Sequence, residues 1–336
     1  MKRAVPCFVV LIFLALAANA QDAPPGFDAA SFLEIGIDAR PLAMGGTGVA
    51  MAAGNPIPYY NPALLVRAPE LGVGGMYSEP YGQELGISFQ SMHAVGRVGS
   101  QTGSATASGF GLGVTWLQLR IEDIVIWDEE NPGDAEVFAA TSSVYLVSAS
   151  TSLLPELAIG LSGKVYRENV LQGRGRGLGI DIGLLATLNL DGLPVWVGLS
   201  SMDFLQTVIR WRDTQGEPDN FVPWVNKIGF AAEIFDGMGL VSADFDWAVG
   251  RHRRDQKIHL GLEAKPVDGL FLRAGWAGDL EGLDSRLSVG LGIDFFDSFR
   301  LDYAYVPPRT IYGTGHFLSL QLSFPFSAEW LGLSRP

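Results

Sequence analysis

From about residue 70 to residue 326 the chain repeats one module, a stretch alternating apolar residues with small or polar ones, followed by a turn. Leu178, Ile180, Ile182 and Leu184 interleave with Gly179, Asp181 and Gly183. Leu287, Val289, Leu291, Ile293 and Phe295 interleave with Ser288, Gly290, Gly292 and Asp294. Successive side chains of a strand point to opposite faces, so each stretch presents one greasy face and one wet or glycine face.

A water-soluble β-sandwich would show the same alternation, but its strands usually run only about 5–6 residues, whereas a tilted bilayer span takes about 9–11. The stretches here are long enough for the second. Aromatic residues also gather at their ends: Trp116, Trp247 and Trp276 close strands, Trp224 opens one, and Tyr303 and Tyr305 lie toward the end of another. Rings with a polar edge favour the lipid headgroup level. The hydrophobic share is 48%, yet no stretch after Ala20 is apolar for long enough to cross a bilayer as a helix. Only helices and closed barrels satisfy every backbone polar group in lipid. The expected fold is therefore all-β, a transmembrane antiparallel β-barrel over 70–326, and the template fits about 14 strands.

Turn chemistry alternates in step with that count. Asp191-Gly192, Asp236-Gly237, Val267-Asp268-Gly269 and Asp297-Ser298 are tight turns after even strands, as on a barrel's periplasmic side. Long connections, above all 121–136 and 204–223, follow odd strands. The Gly- and Ser-rich stretch 94–105 is the exception, read as a long periplasmic turn. The fifth and sixth strands are expected at 156–167 and 177–190.

The compartment follows from the first residues. Lys2 and Arg3 precede an apolar run over 8–18, closed by Ala18-Asn19-Ala20. This is the pattern of a secretory signal peptide over 1–20 and implies export to the bacterial outer membrane. The single cysteine, Cys7, falls inside it, so no disulfide or Cys-ligated metal is expected after cleavage. The net charge of −13 disfavours nucleic acid as a partner.

Residues 21–69 do not alternate and read as a short helical plug. Asn61 suits an N-cap and Pro62 the first helical position, while Gly45-Gly46 permits a tight bend. Phe32-Leu33-Glu34-Ile35-Gly36, Ala39-Arg40-Pro41-Leu42-Ala43-Met44-Gly45-Gly46, Val49-Ala50 and Tyr60-Asn61-Pro62-Ala63 together resemble the N-terminal signature of the PorV/PorQ family, within the FadL-like outer-membrane superfamily. The resemblance is sharp over these thirty-odd residues and is one of length and texture beyond them. It implies a 14-stranded barrel whose N-terminal segment enters the lumen as a hatch, with motif residues Arg40, Met44, Gly45, Gly46, Asn61, Pro62 and Ala63. It also implies either a role in protein secretion, as in PorV-type members, or passage of hydrophobic molecules, as in FadL-type members. The chain departs from such barrels in continuing past Phe326 as a tail, 327–336, instead of ending on an aromatic.

Charges expected on inward faces include Lys164, Asp181, Lys227, Glu233, Asp244, Asp246, His259, Glu263, Lys265, Arg273, Asp294 and Asp302; such charges pair and fill a barrel, or line a solute path. Asp244 and Asp246 lack a fixed third ligand for a metal, and no cofactor is expected. The four histidines, His93, His252, His259 and His316, accompany no hydrolase or zinc-protease motif, so the chain reads as non-enzymatic. Outer loops are expected to hold the pairs Arg174 with Arg176 and Arg210 with Arg212, the cluster Arg251, Arg253 and Arg254, and an acidic group from Glu122 to Glu136. Arginine forks suit lipopolysaccharide phosphates or a partner's acidic patch; solvated loop charge is the plainer reading.

The leading expectation is a PorV/PorQ-like component of secretion or transport, with outer-membrane lipid, lipopolysaccharide and a secretion-system or cargo protein as contacts. The alternative is a FadL-like diffusion channel for a hydrophobic ligand. A channel needs an apolar pocket under the hatch around Met44, Val49 and Tyr59; a partner-binding barrel needs an exposed apolar patch at 124–127 or 204–211.

Overall fold

The computed structural model of the chain describes residues 29–52, 56–81, 85–102, 106–127, 135–171, 173–212, 219–249, 256–282, 284–296, 298–307 and 315–324. The expected signal segment, the tail 327–336, the acidic residues at 128–134 and Arg251, His252, Arg253 and Arg254 lie outside them.

Sixteen strands form one antiparallel sheet, and fourteen of them close into a barrel. The first half of the wall is β1 (Leu71–Ser78), β2 (Ile87–Thr102), β3 (Thr106–Trp127), β4 (Ala135–Leu154), β5 (Leu157–Val170), β6 (Gly173–Leu190) and β7 (Leu193–Met202). A short hairpin, β8 (Val208–Arg212) and β9 (Asp219–Phe221), follows. The second half is β10 (Val225–Ile234), β11 (Gly239–Ala248), β12 (Lys257–Val267), β13 (Leu270–Asp279), β14 (Ser285–Phe295), β15 (Phe299–Tyr305) and β16 (His316–Phe324). The ring closes where β1 meets β16, from Leu71 opposite Phe324 to Ser78 opposite Phe317. Burial follows the pleat: on β5 every second residue from Ala158 to Glu168 is buried, while Leu161 and Val165 stand exposed on the outside. The outward apolar residues meet hydrocarbon; the inward set meets a lumen filled by the N-terminal segment.

Four stretches read as connections are strand instead. Residues 94–102 continue β2, which pairs with β3 as far as Thr102 opposite Thr106. β3 runs on to Trp127 opposite Ala135, across most of the expected loop at 121–136. β5 and β6 extend to Val170 opposite Gly173, which puts Arg174 and Arg176 on a strand. Within 204–223, β8 pairs with the end of β6 that β7 does not reach. The physical reason is common to all four. Beyond the hydrocarbon both faces of a strand can be polar, so the ladder of backbone hydrogen bonds continues while the period-two signal of greasy residues stops.

Leu262, midway along β12, is exposed on the outer face. The substitution Leu262→Arg is expected to cost about 2–4 kcal/mol of stability in a bilayer, measured by denaturant titration of the barrel folded into lipid vesicles.

Candidate functional site

The N-terminal segment runs through the lumen as three short turns, Ser31–Ile35, Ala39–Ala43 and Pro62–Arg67, joined by extended chain. Asn61 caps the last of these: its side-chain oxygen accepts from the Ala63 N–H at 3.0 Å, and its amide donates to the carbonyls of Val49 and Leu184, each at 2.9 Å. One buried side chain thus ties two parts of the plug to the wall. Met44 and Ala63 are fully buried, and Pro62 is buried as well.

The wall meets this segment with glycines, because only a residue without a Cβ lets two backbones touch. A Cβ on Gly275 of β13 would lie 1.9 Å from the Gly45 nitrogen, and one on Gly198 of β7 would lie 2.2 Å from the Val49 carbonyl oxygen. On Gly160 of β5 it would fall 2.3 Å from the Ala63 nitrogen. The glycine face of the alternating stretches is therefore the seat of the plug.

Charges complete the seat. Arg40 forks onto Glu263 of β12 at 2.9 and 2.8 Å. Glu263 also accepts from Arg273 of β13 at 2.6 Å, and Arg273 reaches Asp302 of β15 at 2.7 Å. Burial opposes the charge on Arg40, but the Glu263 carboxylate outweighs it and holds the guanidinium pKa above its usual value. Asp244 of β11 accepts the backbone N–H groups of Gly48 and Val49 at 2.7 and 3.0 Å. Its neighbour Asp246 instead takes Lys227 of β10 at 2.6 Å, so the two carboxylates serve different partners. His259 bonds the Gly45 carbonyl through Nδ1 at 2.7 Å. Asp294 stands apart: half-buried on β14, it pairs with Arg300 of β15 and does not touch the plug network.

A second cluster lies on the opposite wall. Lys164 of β5 bridges Asp181 of β6 and Asp203, at 2.8 and 2.9 Å. Asp203 also accepts from Tyr166 and Thr207. Asp203 begins the connection from β7 to β8, so this fully buried lysine draws an outer loop down over the lumen.

The two ends of the lumen differ. Toward the tight turns, Met51, Ala52, Leu64 and Val66 of the plug pack against Ala158, Leu185, Trp196 and Leu240 of the wall, and Trp196 is fully buried. Toward the long loops lie two cavities of about 430 Å³ each. Both are bordered by Ile35, Leu42 and Gly46; Leu33, Tyr59, Tyr60, Met202 and Val222 line the first, Phe32, Leu119 and Phe317 the second. Burial pushes the phenol pKa of both tyrosines upward, which keeps them neutral.

The sequence expectation of a pocket under the hatch is corrected here. Met44 and Val49 are fully packed, and the open space lies on the outer side of the plug, with Tyr59 alone of the three on its border. The patch at 204–211 is also reduced, since Ile209 is buried and Trp211 packs on the core, leaving Leu205 exposed. Asp38 was missed by sequence reasoning. It accepts from Ser319 and Gln321 of β16, and a lone acid in a non-alternating segment carries no signal of that. The glycine seat did carry one, in the period-two spacing of glycines on the face opposite the aliphatics.

Fold and site define a plugged, 14-stranded transmembrane barrel with cavities on the outer side of the plug. Among solved structures the chain is similar to the toluene transporter TodX of P. putida, with TM-score 0.57 and 15% identity over 87% of this chain and 99% of that one. It is likewise similar to the monoaromatic hydrocarbon channel CymD, with TM-score 0.54 and 16% identity over 89% of this chain and 100% of that one. At these identities the likeness is one of fold. No family model matches the chain, and no curated protein does.

Breaking the buried Arg40–Glu263 fork with Arg40→Met is expected to cost about 1.5–3 kcal/mol, because Glu263 keeps Arg273 as its partner. Limited proteolysis should then cut the 29–68 segment faster while the barrel still resists denaturation by detergent without heating. Gly275→Ala should give the same pattern by collision.

Proposed function

We propose that this chain is an outer-membrane channel for hydrophobic small molecules, in which the cavities between plug and wall take up the solute from outside. The observation that carries this reading is the first cavity, where Leu33, Ile35, Leu42, Tyr59, Met202 and Val222 form an apolar stretch of the border, with Glu34, Lys227, Asp246, Lys257 and His259 on the remainder to orient a solute. The fold shared with proteins described as a toluene transporter and a monoaromatic hydrocarbon channel points the same way. The secretion role suggested by the N-terminal motif has less behind it: 204–211 leaves Leu205 exposed, and 124–127 exposes Val125 and Ile126 with Val137 opposite Val125, a small apolar patch, while the similar solved structures are described as a transporter and a channel. The secretion reading therefore ranks second.

Passage beyond the cavities demands movement. Ile37, Met44, Val49, Leu64 and Leu65 of the plug are fully buried, and at about 1.5–3 kcal/mol each their exposure would cost on the order of 10 kcal/mol. The fully ejected plug is thus populated in only about one molecule in 10⁷. The Ser31–Ile35 turn buries Phe32 alone, so it can shift cheaply and admit solute.

Toluene is expected to bind the purified barrel in detergent and to enter proteoliposomes through it. Ile35→Trp, which sets a bulky ring at the border the two cavities share, should reduce uptake about tenfold or more without altering barrel stability. Undiminished uptake in that variant would overturn the assignment.

A further inference from the structure

The basic residues that the sequence distributes between two outer loops come together on the barrel's outer wall. Arg167 of β5 stands directly opposite Arg176 of β6, and Arg176 directly opposite Arg210 of β8. One step further from the hydrocarbon, Arg174 of β6 stands opposite Arg212 of β8, with Asn169 of β5 on its other side. All five arginines point outward and are exposed. Directly opposed side chains on neighbouring strands sit about 4.5–5.5 Å apart at Cβ, and like charges in that relation repel.

Little in the protein offsets the repulsion. Asp219 of β9 stands opposite Arg210. Among the described residues none of the five makes an ion pair, whereas Arg120, on the same outer surface, is paired with Glu122 at 2.7 Å. Arg167 is held over the ring of Tyr145 at 5.5 Å, so its orientation is set without an anion.

The location says what the missing anion is. On each strand the grid begins where the greasy outer face ends: Val165 precedes Arg167 on β5, and on β6 Leu178 and Ile180, both exposed, follow Arg176 toward the membrane. Val165 stands opposite Leu178, and the same row continues through Tyr145 to Trp116, an aromatic-edged boundary of the kind found at headgroup level. Two residues along a strand cover about 6.6 Å, so the arginine rows sit at the depth of lipid phosphates and the first sugars, at the end of the barrel opposite the tight turns. Guanidinium forks match phosphate oxygens in pairs.

We propose that the outer wall formed by β5, β6 and β8 is a binding site for the phosphate groups of an outer-leaflet glycolipid, with Arg167, Arg176 and Arg210 as the primary ligands and Arg174, Arg212 and Asn169 reaching the outer sugars. The proposal rests on the barrel facing an outer membrane and is independent of what the lumen carries.

The test uses the full-length protein purified in mild detergent from membranes containing lipopolysaccharide, with retained glycolipid counted by mass spectrometry. The wild-type barrel should retain it, and Arg176→Gln/Arg210→Gln should retain it about tenfold less or lower, the loss expected for two charge-assisted contacts. Arg120→Gln should behave as wild type, and unaltered heat-modifiable migration shows that each barrel is folded. Delipidated wild-type protein should then bind micelles of lipid A in preference to dephosphorylated lipid A and to phosphatidylglycerol vesicles. Equal retention by the double variant, or equal binding of phosphorylated and dephosphorylated lipid, would overturn the proposal. So would saturation of the site by inorganic phosphate alone, which would make the occupant a free anion. Toluene binding followed in the same preparations separates failure of this site from failure of the channel reading.

Discussion

A strand that crosses hydrocarbon has no water to pair with its N–H and C=O groups, and the energetic penalty of leaving them bare forces the sheet to bond to itself. Here that bond is the pairing of β1 with β16, and much of the architecture is its consequence. A closed sheet of fourteen strands has a lumen too wide for its own side chains to fill. The chain fills it with its own N-terminal segment, which runs from Ala29 beside the outer hairpin down to the end of the tight turns and leads there directly into β1. A second layer of backbone inside the cylinder then sets the terms for the inner face, because a wall of ordinary side chains would leave no space for it.

The inner face answers with two kinds of residue. Glycines at Gly160, Gly198 and Gly275 bring the wall's backbone against the plug's, and charged or polar side chains nearby bond what the plug's backbone leaves open. Asp244 gathers two plug amides, Ser288 accepts from Gly45 and donates to Ala43, and Arg40 returns a cation to Glu263. An isolated charge in this setting would cost several kcal/mol. The chain of Arg40, Glu263, Arg273 and Asp302 alternates in sign, so each member is offset by an oppositely charged neighbour, and removal of Glu263 or Arg273 would leave an end member, Arg40 or Asp302, without its partner in the chain. This arrangement fixes the position of the plug more than it adds to stability.

The barrel was legible in the sequence because its two faces differ so sharply in chemistry. Wherever one face met lipid, period two survived, and the strand count and the sides of the tight turns followed from it. Legibility stopped at the edge of the hydrocarbon. At Arg174 and Arg176, and again at Arg210 and Arg212, alternation of arginine with glycine or with Ile209 and Trp211 looks like loop charge, and only the register of β5, β6 and β8 shows these residues to be opposed across strands. The site was legible in part for a related reason. Charges such as Lys227 and Glu263 were placed inward by parity, but the plug residues that the wall holds, Arg40 on Glu263 and Asp38 on Ser319 and Gln321, sit hundreds of residues away in chain order, in a segment with no periodicity to read. That the cavities lie on the outer side of the plug depends on how the 29–68 segment folds back on itself, with Tyr60 reaching the backbone of Ile37, and no local pattern encodes such a return.

The lumen's asymmetry decides what kind of transport this wall can support. On the side of the tight turns, Trp196, Leu185 and Leu240 close on Leu64 and Met51 in a packed apolar interface, with Arg67 over the Trp196 ring. On the channel reading, an apolar solute gains by leaving water at the apolar part of the first cavity's border. On the opposite side Phe32 packs against Phe89 of β2, Ala29 bonds Phe221 of β9 at 3.0 Å and Glu34 pairs with Lys257 of β12 at 2.7 Å. The exposed ion pair contributes about 0–1 kcal/mol, against several for each buried one below. The part of the plug that borders the cavities is thus the part free to shift at least cost, and on the channel reading the deep half is the floor against which a small apolar molecule is held.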